Sequence, residues 1–161
     1  FIAMASIERT AYPRLKQQFT KSELRDFYTP TLDEISFVQE KARRSETRLH
    51  LLALLKTFQK LGYFPNLEDV SESLLKFLRI VLNLPADALP LVARNTFYQH
   101  QSTILEYLNV KSYDRAARRL VVKTVFEAAQ TMDNPADLIN AAIEELIKER
   151  YELPAFSTLD R

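Results

Sequence analysis

Apolar residues recur along most of the chain every three or four positions, the spacing that places them on one side of an α-helix. One such stripe runs from Leu138 to Ile147, and another runs from Phe97 to Leu108. Between Leu49 and Leu61 the apolar residues cover most directions around the helix axis, which is typical of a buried central helix. The pattern therefore predicts an all-α protein.

Capping residues and helix-breaking residues predict where these helices begin and end. Thr20 and Thr31 are each followed three positions later by a glutamate, the spacing of a capping box. Gly62 and Asn109 tolerate the left-handed backbone that commonly follows a helix, so we expect them to end the third and fifth helices. About seven helices are predicted, placed after Thr20, after Thr31, after Ser45, from Ser71 to Leu84, from Leu91 to Leu108, from Tyr113 to Ala129 behind a Ser112 cap, and after Asn134.

A proline-bounded stretch near the middle of the chain marks the expected boundary between two halves. We expect each half to form a helical subdomain of the helix-turn-helix type. The chain is also expected to be a piece of a longer protein. The expected organisation is an added remnant at residues 1–3, a first unit with an N-terminal arm at 4–86, a second unit at 87–152, and the start of a linker at 153–161.

The composition argues against several classes of enzyme. The chain has one glycine among 161 residues, whereas phosphate-cradling loops and dinucleotide fingerprints need several positions free of a Cβ atom. Cysteine is absent, and His50 and His100 offer no metal-ligand spacing, so we expect no metal, cofactor or small-molecule ligand. Because no set of nucleophile, base and orienting residue is visible, we do not expect this chain to be an enzyme.

The chain also lacks the sequence signals of a membrane or secreted protein. Its apolar runs are far shorter than the roughly 20 residues that a membrane helix needs. The N-terminus carries no apolar signal core. We therefore expect no membrane partner and a cytoplasmic location.

Charge is unevenly distributed although the whole chain carries only +1. Residues 4–63 and residues 94–123 carry +4 each, whereas residues 64–93 carry −2 and residues 124–161 carry −5. Each positive block contains a short turn between consecutive helices, which is where a helix-turn-helix meets DNA phosphates. The distribution favours DNA as a partner, with solvated basic helix surfaces as the alternative.

The sixth predicted helix carries the most specific pattern. At 100° per residue its cations share one side, and they are Arg115, Arg118, Arg119 and Lys123. Val122 and Phe126 lie on the same side, so we expect the second half of this face to be covered. A recognition helix has this form because only its first turns enter the major groove. A solvated basic face on a bundle helix would show the same pattern.

Further candidates lie outside the sixth helix. The turn between the second and third helices carries residues suited to phosphate contacts, namely Arg43, Arg44, Thr47 and Arg48. Arg9 and Arg14 belong either to a basic arm that contacts DNA or to a disordered tail. Arg94 and His100 belong either to a polar helix face or to a DNA-facing patch. His50 lies among leucines and is interpreted as a core histidine.

Four stretches show one family pattern in the same order along the chain, namely Met4–Pro13, Arg48–Pro65, Leu105–Leu108 followed by Asp114–Arg119, and Tyr151–Arg161. They resemble the N-terminal DNA-binding domain of replicative, class II transposases of the Tn-three family. The resemblance covers nearly the whole chain, although each motif alone is mainly a helix-packing pattern. One departure is Asn109, where the family pattern leads us to expect glycine.

The resemblance implies tandem helix-turn-helix units that bind the terminal inverted repeats of a transposon as double-stranded DNA. It also implies that a metal-dependent acidic triad much further along the longer protein performs strand transfer, so this chain would lack the catalytic residues. A homodimer is an option for the full-length protein. The contacts implied by the resemblance are Arg43, Arg44, Thr47 and Arg48 in the first unit, and Lys111, Ser112, Arg115, Arg118 and Arg119 in the second.

The alternative is a helical protein-interaction or dimerisation module of the same transposase without direct DNA contact. In that case the arginines of the sixth helix would pair with an acidic surface, such as the C-terminal block. This alternative predicts self-association and indifference to DNA. Lys123, Arg94 and His100 follow from charge alone and rank below the residues that the resemblance implies.

Overall fold

The regular structure is helical throughout the part of the chain that the computed structural model describes, residue 7 and residues 10–159. This confirms the all-α prediction. A three-residue 3₁₀-helix, Leu67–Asp69, precedes the fourth α-helix, and the described residues contain no strand. The α-helices in this part of the chain are α1 Lys21–Tyr28, α2 Leu32–Lys41, α3 Ser45–Leu61, α4 Glu72–Val81, α5 Arg94–Leu108, α6 Arg115–Ala128, α7 Pro135–Lys148 and α8 Phe156–Leu159.

Several predicted helix ends are confirmed. The Thr20 and Thr31 hydroxyls each accept a hydrogen bond from the backbone N–H of the glutamate three residues later. The carboxylate of that glutamate in turn accepts a hydrogen bond from the backbone N–H of the threonine. Gly62 has a φ of 82° and Asn109 a φ of 56°, so both adopt the left-handed backbone that was predicted for them. Asn134 caps α7 and Pro135 is its first residue.

Other helix ends differ from the prediction. Ser45 is the first helical residue of α3 and not its cap, which is Arg44. Ser112 does not cap α6, because the carboxylate of Asp114 accepts from the Ala117 N–H at 2.9 Å and the helix therefore begins at Arg115. α4 ends before Leu82, and α5 begins three residues later than predicted. The short helix α8 was not predicted at all.

One compact unit comprises residues 14–104, and we call it the α3 unit. Helices α1, α2 and α4 all pack on α3. Five leucines of α3 have no exposed surface, which confirms the prediction of a buried central helix. Lys56 of α3 is also buried, and its Nζ lies 3.1 Å from a carboxylate oxygen of Glu34 in α2. This ion pair joins α2 to α3 inside the core.

Among the described residues, the other compact unit comprises residue 7 and residues 10–13 and 105–159, and we call it the α6–α7 unit. Helices α6 and α7 pack along each other and supply most of its helix contacts. The hydroxyl of Tyr12 donates to the Pro154 carbonyl at 2.7 Å, and the Tyr12 ring meets Phe156 edge-on. Leu153 and Leu159 are buried. The segment expected to begin a linker therefore packs as part of this unit.

The two units do not coincide with the halves expected from the sequence. The structural boundary lies within α5, between Ile104 and Leu105, and not in the proline-bounded stretch. Arg79 of α4 explains why that stretch belongs to the α3 unit, since its Nε donates to the Ala88 carbonyl at 2.7 Å. The described N-terminal residues, 7 and 10–13, are grouped with the C-terminal half of the chain.

Candidate nucleic-acid interface

Helix α6 presents an exposed row of cations, which we call the α6 basic face. All four side chains are exposed, and within the described part of the chain none of them forms an ion pair. The opposite side of the helix faces the interior, where Ala117 has no exposed surface. The face is therefore a surface of exposed cations that the described residues do not neutralise through ion pairs. Its members are Arg115, Arg118, Arg119 and Lys123.

Two apolar side chains lie on the same side of α6. Val122 is 62% exposed and Phe126 is 60% exposed, so nothing in the described chain provides the cover that the sequence pattern led us to expect. Together with the basic face and Glu127 they line a shallow open depression along the helix. Exposed apolar surface bordered by charged groups is a common feature of binding sites.

The turn before α6 is held by residues that come from the end of α7. The Arg150 guanidinium donates to the carbonyls of Leu108 at 2.5 Å and Asn109 at 2.9 Å. The Lys111 N–H donates to the Arg150 carbonyl at 2.8 Å, and the Lys111 carbonyl accepts from the Glu152 N–H at 2.8 Å. This backbone pairing anchors the segment that leads into the basic face.

Two side-chain contacts further fix this turn. The Glu152 carboxylate accepts from the Tyr113 N–H at 3.2 Å. Burial raises the pKa of Glu152, and this hydrogen bond offsets only part of the increase. The ammonium of Lys111 lies 4.1 Å from the centre of the Tyr151 ring, a cation–π contact. Ser112 is exposed. Sequence reasoning missed Arg150 and Glu152, because their contacts reach back about forty residues.

The α2–α3 turn places two of its four candidates at the surface. Arg43 and Arg44 are exposed, and neither forms an ion pair within the described residues. The Thr47 hydroxyl is engaged with the Arg44 backbone, donating to the carbonyl at 3.0 Å and accepting from the N–H at 3.2 Å. Arg48 is half-buried, and its Nε donates to the Ala42 carbonyl at 2.9 Å. Thr47 and Arg48 therefore stabilise the turn, and a DNA contact by either remains a prediction.

The lower-ranked candidates are placed differently from one another. Arg9 lies outside the described residues. Arg14 and Arg94 are exposed, and Arg94 borders a groove of the α3 unit that His50 and Phe97 also line. His100 is only 7% exposed, so the prediction that it belongs to a DNA-facing patch is wrong. It points inward because its position on α5 faces α3.

His50 and His100 form a buried pair in the α3 unit. Their Nδ1 atoms are 2.7 Å apart, so one ring donates a hydrogen bond to the other. Burial together with the nearby imidazole of His100 lowers the pKa of His50 to about 4, and burial lowers the pKa of His100. The prediction of a core histidine at position 50 is confirmed. The sequence separation of fifty residues had hidden the pairing.

The described residues contain no group of three or more histidine, aspartate or glutamate side chains arranged to hold a metal ion. The histidine pair thus has no third ligand in this part of the chain. None of the helices described has the length and apolar character required to cross a membrane.

The chain belongs to the family described as Domain of unknown function (DUF4158), whose model matches residues 4–161. Among curated proteins, none matches the chain. The family description names no activity, so the function is inferred from the surfaces of the two units.

Proposed function

We propose that this chain binds double-stranded DNA and that α6 is its recognition helix. The observation that carries the proposal is the α6 basic face, four exposed cations with no anionic partner within the described residues. Guanidinium groups bind phosphate oxygens and guanine edges in bidentate fashion, and a helix of this width fits the major groove. A turn held by Arg150 and Glu152 presents the face with little conformational freedom.

A second basic surface in the α3 unit supports the same function. Arg43 and Arg44 project from a turn between two helices, whose backbone is fixed by the contacts of Thr47 and Arg48. A rigid turn with exposed cations is suited to phosphate contacts, which position a protein on DNA without reading its sequence. We assign phosphate contacts to this turn, and to α6 we assign base contacts together with further phosphate contacts.

The finer proposal is that the chain is the end-recognition part of a transposase of the Tn-three family. The motifs that resemble that family span the same residues as the matched family model, 4–161. The proposal includes a helix-turn-helix role for the α2–α3 and α5–α6 pairs. It assigns the terminal inverted repeats of the transposon as the DNA ligand, and it leaves strand transfer to another part of the longer protein.

Binding of the chain to labelled duplexes by fluorescence anisotropy tests this proposal. One duplex carries the terminal inverted repeat of the element that encodes the protein, and the other is a scrambled sequence of equal length. We expect preferential binding to the repeat. Arg119→Ala should weaken binding to the repeat by about 1–3 kcal/mol and reduce the preference, whereas Arg43→Ala should weaken binding to both duplexes alike. Equal binding to both duplexes by the wild type would contradict end recognition.

A protein-interaction module is the second candidate, and the exposure of Val122 and Phe126 favours it. Apolar side chains of this size at the surface are typical of protein interfaces as well as of nucleic-acid sites. This function predicts concentration-dependent self-association and no effect of DNA. Sedimentation velocity over a hundredfold range of protein concentration distinguishes DNA binding from self-association. A sedimentation coefficient that stays at the monomer value at every concentration and rises only when duplex is added supports DNA binding.

A further inference from the structure

In direction around the helix axis, Val122 lies near the middle of the α6 basic face. On an ideal helix of 100° per residue, it is about 20° from Arg115 and lies between Arg118 and Arg119 in direction. The four residues occupy positions i, i+3, i+4 and i+7, the spacing with which the recognition helix of a homeodomain contacts the major groove. A ligand that engages the three arginines therefore has to meet Val122.

The side chain of Val122 is chemically unlike its neighbours. It is 62% exposed and apolar, whereas the residues one turn before it and next to it on this face, Arg118, Arg119 and Lys123, are cations; Phe126 follows one turn later. The edges of the bases in the major groove are nitrogen and oxygen donors and acceptors, with one apolar group among them, the 5-methyl of thymine. The charge of the three arginines selects a polyanion as the occupant of this face.

We propose that Val122 contacts the 5-methyl group of a thymine in the major groove, so that the preferred DNA site has a thymine among the bases that the arginines contact. This inference rests on the proposed function of α6 as a recognition helix. It adds the identity of one base. Phe126 lies about 16 Å beyond Arg115 along the helix axis, too far to share the same few base pairs.

The test removes the methyl group from the DNA and leaves every hydrogen bond in place. Duplexes that bind the chain are first selected from a random-sequence library. The selected duplex is then compared with one in which deoxyuridine replaces each thymidine. We expect the wild type to bind the substituted duplex about fourfold more weakly for each contacted methyl, which corresponds to about 0.8 kcal/mol at 1.4 kcal/mol per factor of ten.

Two variants locate the effect. Val122→Ala should show a clearly smaller difference between the thymidine and deoxyuridine duplexes, because it removes the two methyl groups of the side chain that reach furthest towards the thymine. Phe126→Ala is the matched control, since Phe126 is equally exposed on the same side of the helix, and it should retain the fourfold difference. Both positions are at the surface, and circular dichroism confirms that each variant is folded.

The outcomes separate this inference from the proposed function. Equal binding of both duplexes by the wild type overturns the thymine contact and leaves DNA recognition intact. Failure to select any duplex overturns both. A fourfold difference that persists in Val122→Ala assigns the methyl contact to another residue and also overturns the inference. Self-association of the wild type that Val122→Ala abolishes would show that the side chain docks on protein instead.

Discussion

The buried histidine pair should make the stability of the α3 unit depend on pH. The folded state holds His50 neutral down to a pKa of about 4, while the unfolded chain takes up a proton near 6.5. Between these values the unfolded state binds more protons, so the stability is complete above pH 6.5 and is lost as the pH falls towards 4. From these two values the loss is about 2 kcal/mol at pH 5 and about 3 kcal/mol at pH 4. His100 acts in the same direction, because its pKa is also lowered.

Urea denaturation followed by circular dichroism measures this loss. The comparison is between the wild type and the double variant His50→Leu/His100→Leu, whose apolar side chains are close in size to imidazole. Replacing both partners of a buried hydrogen bond is nearly neutral, so the two proteins should have similar stability at pH 7.5. At pH 5 the double variant should be the more stable by at least about 2 kcal/mol, the contribution of His50 alone.

The difference between the two proteins isolates the histidines from other titrating groups. Burial alone would raise the pKa of Glu34, but hydrogen bonds from Gln59, the Thr31 backbone and Lys56 outweigh burial and lower it. That contribution is lost only as the pH falls below the ordinary range of a carboxyl group, and it is common to both proteins. A wild type and a double variant that lose stability in parallel from pH 7.5 to pH 5 would refute the reasoning.

Two further stability predictions follow from the polar contacts of the fold. Lys56→Met leaves the Glu34 carboxylate buried without its cation, so the free energy of unfolding in urea denaturation should fall by about 3–5 kcal/mol. Adding Glu34→Gln removes the unpaired charge and should recover part of this loss. If the second substitution recovers none of it, the loss has no ionic cause. Asp114→Ala removes the N-cap of α6 and should lower the free energy of unfolding by about 1 kcal/mol, which corresponds to a fall in Tm of about 2–4 °C. Ser112→Ala is the control and should leave Tm unchanged, because Ser112 does not cap the helix.

The helices were largely predictable because their signals are local. The capping boxes of Thr20 and Thr31, the left-handed residues Gly62 and Asn109, and the proline that begins α7 each act within one turn of chain. The error at α6 has a cause that is not local. Ser112 and Asp114 are both good caps, and the sequence gives no way to tell that the Lys111 backbone pairs with the end of α7 and leaves the cap to Asp114.

The site was predictable only in part, because exposure and partners depend on tertiary contacts. The helical spacing of the arginines placed the cations of α6 on one side, and the structure adds that they are exposed and unpaired within the described residues. In the sequence, His100 stands between two polar residues, Gln99 and Gln101, as a surface residue would. Its true position is set by a histidine fifty residues away, which no local pattern reveals.

Salt-dependent binding to duplex DNA tests the central claim most directly. Each cation that neutralises a phosphate contributes about −0.9 to the slope of log affinity against log salt concentration. With four exposed cations on α6 and two more at the α2–α3 turn, we expect a slope of about −3 or steeper for the wild type. The double variant Arg118→Ala/Arg119→Ala should bind at least about tenfold more weakly.

Lys148→Ala is the matched control, because it removes one exposed cation from α7, outside the α6 basic face. Its affinity and slope should match those of the wild type. The measurement is an anisotropy titration of all three proteins against one duplex at several salt concentrations. The predicted result is a steep slope for the wild type and for Lys148→Ala, and a flatter slope for the double variant. A wild-type affinity that does not change with salt concentration would contradict DNA binding by α6.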